Sequence, residues 1–212
     1  MTDITIIGSG NMARGIATRA VAAGRSVQIQ DREIAKAESL ASELGATVSS
    51  AVLGSPIDGD IVVLALPFDA AKEVAVAQSA ALAGKTVIDI TNPVDFSTFD
   101  SLVVAPGTSA AEEIAALIPA SNVVKAFNTT FAGTLISGAV AGTPLDVFIA
   151  SDAADAKAAV ASFVTDAGLR PIDVGPLRRA RELEGFQFVI MTLQANPEFD
   201  TFNWNTGLNV LV

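Results

Sequence analysis

Residues 4–17 read ITIIGSGNMARGIA: an apolar, mostly β-branched run, then three glycines and an alanine within eight positions, then a helical pattern. This junction constrains the fold more than any other part of the chain. A strand that turns directly into a helix through glycines gives up side chains where its backbone must come close to something else. Gly8, Gly10 and Ala13 hold the positions of a G-x-G-x-x-G/A turn. In such a turn the first glycine allows the tight bend, the second admits a pyrophosphate, and the third small residue permits close packing. Free N–H groups and the dipole at the head of the following helix favour an anion there. Glycines that only punctuate a turn would leave unexplained the acidic Asp31 at the end of the second strand, about where a ribose-binding carboxylate is expected. The stretch Gly8, Ser9, Gly10, Asn11 and Met12 therefore reads as a dinucleotide site.

The rest of the first 130 or so residues repeats the alternation. The pattern predicts strands over 3–8, 26–30, 60–67, 86–91 and 122–127, and helices over 11–24, 33–45, 69–84 and 109–119. IVVLALP (61–67) is wholly apolar, as expected of a parallel strand covered on both faces. Such alternation implies right-handed crossovers and a doubly wound α/β sheet. Further on, strands are predicted over 145–151 and 170–175, with helices over 153–168 and 177–194. In the last of these, Leu183, Phe186, Ile190 and Leu193 recur at helical spacing and read as core. The tail, with the single Trp of the chain, is aromatic enough to dock on the body or on a partner subunit, which favours a homodimer.

Composition narrows the chemistry. The net charge is −10, and only LRRARE (177–182) is basic, so nucleic acid is excluded as a partner. No apolar stretch reaches the roughly 20 residues of a membrane span, and the N-terminus runs into a strand without a basic leader, so a soluble cytoplasmic protein is expected. The chain has no His, no Cys and no Tyr, which removes three of the usual proton-transfer and nucleophilic groups. No catalytic residue and no metal site is expected. Lys125, alone in VVKAFN, could act as a proton relay, but a strand-end lysine more often snorkels or pairs with a carboxylate.

The choice of dinucleotide stays open on spacing alone. Asp31 suits a ribose 2′-hydroxyl and repels a 2′-phosphate; Arg32, Ser9 and Arg14 could each meet that phosphate. Two further loops, ALPFDA (65–70) and TNP (91–93), fall at the carboxyl ends of predicted strands, where open α/β sheets bind ligands.

GSGNMARG (8–15), with ITNPVDF (90–96), VVKAFNTTFAGTL (123–135), DVFIASD (146–152) and VGPLRRARELEG (174–185), resembles the NADPH-dependent reductases of the deazaflavin coenzyme F-420 over nearly the whole chain. The N-terminal part also resembles the cytoplasmic reductase domain of membrane ferric reductases and the cofactor domain of pyrroline-carboxylate reductases. The resemblance implies a Rossmann-type domain over 1–128 and a small C-terminal α/β domain over 129–212, with the cofactors facing each other in the cleft between them. It places Leu66, Pro67 and Phe68 against the coenzyme and brings Asn92 and Pro93 to the nicotinamide. It also assigns the 2′-phosphate to Ser9 and the pair at 31 and 32, where Arg32 matches and Asp31 departs.

The activity implied is hydride transfer between NADP(H) and a deazaflavin or flavin-like small-molecule acceptor, NAD being admitted by Asp31. Stacked cofactor rings need orientation rather than a protein acid or base, which fits the missing side chains. Competing readings are reduction of a small carbonyl, imine or ferric substrate, and an NAD(P)H-binding sensor without turnover.

Overall fold

The computed structural model describes residues 2–199 and 201–211. The elements, in chain order, are β1 (Ile4–Ile7), α1 (Asn11–Ala22), β2 (Val27–Asp31), α2 (Ile34–Leu44), β3 (Val48–Val52) and β4 (Ile61–Leu64). There follow α3 (Phe68–Ala77), α4 (Ser79–Leu82), β5 (Thr86–Asp89), α5 (Ala110–Leu117), β6 (Asn122–Lys125) and α6 (Ala132–Ser137). The remainder comprises a small hairpin of β7 (Ala139–Val140) and β8 (Thr143–Pro144), then β9 (Asp146–Ala150), α7 (Ala154–Asp166), β10 (Arg170–Gly175) and α8 (Ala180–Ala195).

Eight strands form one sheet in the order β10-β9-β6-β5-β4-β1-β2-β3. From β3 to β6 every pairing is parallel, in register Ile4↔Val27 and Ile7↔Leu64 on the two sides of β1. This is the doubly wound Rossmann arrangement that the alternation predicts. Strand residues point alternately to two separate cores. Ile4, Ile6, Val63, Ile88 and Val124 face one core, with α1, α2 and α7. Ile7, Val62, Leu64, Val87 and Val123 face the other, with α3 and α5. Both faces being covered explains why these strands are almost wholly apolar.

Three features depart from the sequence pattern. β3 is an edge strand whose VSSAV carries too little apolar signal to stand out. The helix expected over 69–84 breaks at Gln78 into α3 and α4. β9 and β10 continue the same sheet beyond β6, and β9 runs antiparallel to β6 through the pairing of Lys125 with Ala150. Among the described residues no helix is long and apolar enough to cross a membrane.

The order reverses between β1 and β4, the switch point at which doubly wound sheets open a crevice. Gly8 follows β1 at that point with φ +112°, and a Cβ on it would lie 2.3 Å from the Ala65 carbonyl oxygen, so the fold itself demands glycine there. Gly15 serves helix–helix packing: a Cβ there would come within 2.9 Å of Leu135, so it lets α1 lie against α6.

The tail docks on the body. Thr134 Oγ1 donates to the Thr206 carbonyl, Gln194 Nε2 to that of Asn203, and the Val210 N–H to Asp146 Oδ2 at 2.6 Å. Asp146 also holds Arg170 bidentately across β9 and β10.

Candidate active site

The carboxyl edge of the sheet carries two clefts, one on each side of the glycine turn. The first, of about 810 Å³, is bounded by Gly8, Asp31, Arg32, Leu66, Pro67 and residues of the β3–β4 connection. The second, of about 500 Å³, is bounded by Asn11, Met12, Asn92, Phe131, Gln187, Met191 and Trp204. An extended ligand lying across the turn would reach both.

Gly10 is the N-cap of α1, with φ −75° and ψ −173°, and so supplies no side-chain acceptor to the first-turn amides. Nothing lies within 4 Å of the place its Cβ would occupy. Its backbone is one that any residue adopts and its surroundings are open, so neither conformation nor packing requires a glycine at this position. The space in front of α1, with its unspent N–H groups, fits a phosphate instead.

On the first cleft, Ser9 Oγ donates to Asp31 Oδ2 at 2.6 Å, while the Glu33 N–H donates to Asp31 Oδ1 at 2.9 Å. Arg32 is exposed beside them. Arg14, a candidate for the same region, instead pairs with Glu43 on α2. Phe68 turns into the core at 7% exposure, with the Lys72 ammonium 4.2 Å from its ring centre, while its neighbours Leu66 and Pro67 face the cleft.

On the second cleft, Asn92 and Asn128 form a reciprocal pair: Asn92 Nδ2 donates to the Asn128 carbonyl at 2.9 Å and Asn128 Nδ2 to Asn92 Oδ1 at 3.0 Å. Pro93 is buried behind them. The chain reaches this arrangement through Phe127, two residues after β6, which has φ +63°. A bulky residue in that region is strained, and such strain persists where surrounding structure enforces it. Gln187, 1% exposed, lines the cleft with its Oε1 unpaired.

Sequence reasoning missed Asn128, Gln187, Met191 and Trp204 as site residues. For α8 the signal was there and was misread. Its buried face carries Leu183, Glu184, Gln187, Met191 and Gln194 at helical spacing, whereas Phe186 of the expected apolar stripe is 47% exposed. Polar partners on α5 and β6 decide which face turns inward.

Those partners form an ionic cluster beneath the second cleft. Lys125 Nζ, fully buried, lies 2.8 Å from both Asp89 Oδ2 and Glu184 Oε1 and also donates to the Thr91 carbonyl. Glu184 receives the N–H groups of Ala110 and Ala111 at the head of α5. Burial opposes the charge on Lys125, but the Asp89 and Glu184 carboxylates outweigh it and hold its pKa above the usual lysine value. Burial also pushes the Glu184 carboxyl up, against the pull of Lys125. The expectation that Lys125 pairs with a carboxylate is met twice over, and the cluster ties β5, β6, α5 and α8 into one rigid floor under the Thr91–Pro93 loop.

A glycine turn at the switch point of a doubly wound sheet, with a carboxylate at the end of β2, defines a Rossmann-type dinucleotide-binding protein. The family described as "NADP oxidoreductase coenzyme F420-dependent" matches residues 3–93. The F420-dependent NADP reductase of Methanothermobacter marburgensis is 30% identical over 207 residues, 88% of this chain and 89% of that one. Metalloreductase STEAP3 of Rattus norvegicus is 33% identical over 85% of this chain, which spans only 35% of that protein's length. The crystal structure of a candidate F420-dependent NADP reductase from Arthrobacter sp. FB24 superposes with a TM-score of 0.81 at 27% identity, covering 98% of this chain and all of that one. The chain belongs to the coenzyme F420-dependent NADP oxidoreductase family.

Proposed function

We propose that this chain passes a hydride between NAD(P)H and a flavin- or deazaflavin-like ring, with no side chain acting as acid or base. The observation that carries the reading is Gly10, a glycine that the fold does not need, placed where a pyrophosphate would meet the head of α1. The amides of Asn11 and Met12 would hold the diphosphate. Asp31 with Ser9 would hold the adenosine ribose, and Leu66 and Pro67 would flank the adenosine end. Asn92, kept in place by Asn128, would orient the nicotinamide amide.

The bound rings supply the hydride chemistry, and the accompanying proton comes from solvent. The protein's part is to align and shelter. Lys125 does not serve as a proton donor, since it is sealed beneath the loop between two carboxylates. Residues 129–212 complete the acceptor cleft through Phe131, Gln187, Met191 and Trp204, with residues 1–128 as the dinucleotide-binding unit. Gln187 Oε1 would receive an N–H from the acceptor's edge. Gln187→Leu is therefore expected to raise the acceptor KM about ten-fold or more, the cost of one hydrogen bond in a closed site, with the coenzyme KM unchanged. Steady-state kinetics varying each substrate checks this.

The proposal extends to a homodimer in the cytoplasm. Phe186 and Val189 of α8, and Phe199 and Phe202 of the tail, are exposed apolar side chains that a second copy would cover; light scattering at several concentrations tests it.

The central experiment mixes the chain with NADH or NADPH and FMN, riboflavin or a deazaflavin, and follows absorbance at 340 nm. Acceptor-dependent loss of absorbance is expected. Coenzyme binding without loss in the presence of every acceptor would make the protein a sensor instead.

A further inference from the structure

The family is defined by NADP, yet the ribose end of this chain's cleft is built for a hydroxyl. Asp31 ends β2 with its carboxylate fixed from two sides, by the Ser9 hydroxyl at 2.6 Å and the Glu33 amide at 2.9 Å. Ser9 thus spends its proton on Asp31 and has none to offer a phosphate. Each Asp31 oxygen keeps lone-pair capacity for a ribose hydroxyl, which donates.

A 2′-phosphate would fare badly in the same place. It carries nearly two negative charges at pH 7, and it would arrive against an ionised carboxylate. Two cations border the cleft, Arg32 and Lys36, against three carboxylates, Asp31, Glu33 and Glu73. One of those cations is engaged, since Lys36 Nζ sits 2.6 Å from Glu33 Oε1. Arg32 alone would have to offset both the phosphate and Asp31.

We propose that this chain takes NADH in preference to NADPH, with Asp31, presented by Ser9, as the residue that sets the preference. The inference rests on the dinucleotide reading and names which member of that class the site accepts. It also predicts how the preference responds to conditions: repulsion of this kind is screened by salt, so raising ionic strength narrows the gap between the two coenzymes.

Calorimetric titration of the full chain with NADH and with NADPH tests the proposal, and needs no acceptor. NADH is expected to bind about ten-fold or more tightly than NADPH, a modest share of the Coulombic repulsion at this range. Asp31→Asn keeps the shape of the side chain and its place beside Ser9 but removes the charge, and should tighten NADPH binding while NADH weakens. Asp31→Ser, with room for the phosphate, should shift the ratio further, by about 100-fold in all. Thermal melting of each variant separates a lost preference from a lost fold. Wild-type protein that binds NADPH as tightly as NADH, or variants that leave the ratio unchanged, would overturn the proposal while the hydride-transfer reading stands. Failure to bind either coenzyme would overturn both.

Discussion

Lys125→Met is expected to cost about 3–5 kcal/mol of stability, the usual penalty for removing one member of a buried ion cluster. In a chain of this size that lowers the melting temperature by about 6–20 °C. Methionine fills nearly the same volume, so the loss would come from charge and not from a cavity. Without the ammonium, Asp89 and Glu184 face each other fully buried, with only the Thr91 amide and the α5 amides to compensate them. Adding Glu184→Gln to Lys125→Met removes one of the two stranded charges, so the double variant should melt above the single one, a coupling that a double-mutant cycle reads directly. The pH dependence carries its own sign. The pKa of Lys125 is raised in the folded state, so its contribution is fully present below the ordinary lysine value of 10.5 and is lost as pH rises through the folded value. Wild-type protein should therefore lose stability on the alkaline side in a way that Lys125→Met does not. Denaturant melts across that range check both points, and a cost below about 1 kcal/mol would show that the cluster does not brace the site.

The cluster also shows where sequence reading stops. The dinucleotide half was legible because its signals are local: a strand, a glycine turn and a helix lie within one run of residues, and Asp31 follows at the end of the next strand. Alternating apolar segments gave the doubly wound sheet for the same reason. The second cleft depends on contacts that sequence spacing does not encode. Asn128 meets Asn92 only because β5 and β6 are neighbours and Phe127 bends the chain through a left-handed conformation. Gln187 and Glu184 sit on a helix whose apolar residues outnumber them, and periodicity alone assigns the inward face to the apolar side. Leu183 stays on the inward face, but the buried Lys125 and the amides of α5 draw Glu184 inward beside it and leave Phe186 exposed, and both lie far from α8 in the chain. Phe68 was misplaced for a simpler reason: α3 begins one residue before the predicted start at 69, so Phe68 belongs to the helix and not to the loop, and its ring lies in the core.

Gly10→Val should weaken coenzyme binding severely and leave the fold intact. Most glycines of this chain with open surroundings have a positive φ that a valine would strain, but Gly10 does not. Replacing a glycine N-cap by an apolar residue costs at most about 1 kcal/mol, so the melting temperature should fall by no more than about 2–4 °C. The new side chain would occupy the space in front of α1 and keep a diphosphate from the amides there. Loss of two charge-assisted hydrogen bonds, each worth about 1.5–3 kcal/mol, predicts an affinity loss of roughly 100-fold or more for NADH and NADPH alike. That symmetry separates the turn from Asp31, whose substitution should move the two coenzymes in opposite directions. Gly8 offers the contrast: valine there would drive Cβ into the Ala65 carbonyl and force a β-branched residue to φ +112°, so Gly8→Val should unfold the junction as well as empty the site. If Gly10→Val bound coenzyme like wild type, the open space at the head of α1 would have no ligand to explain it.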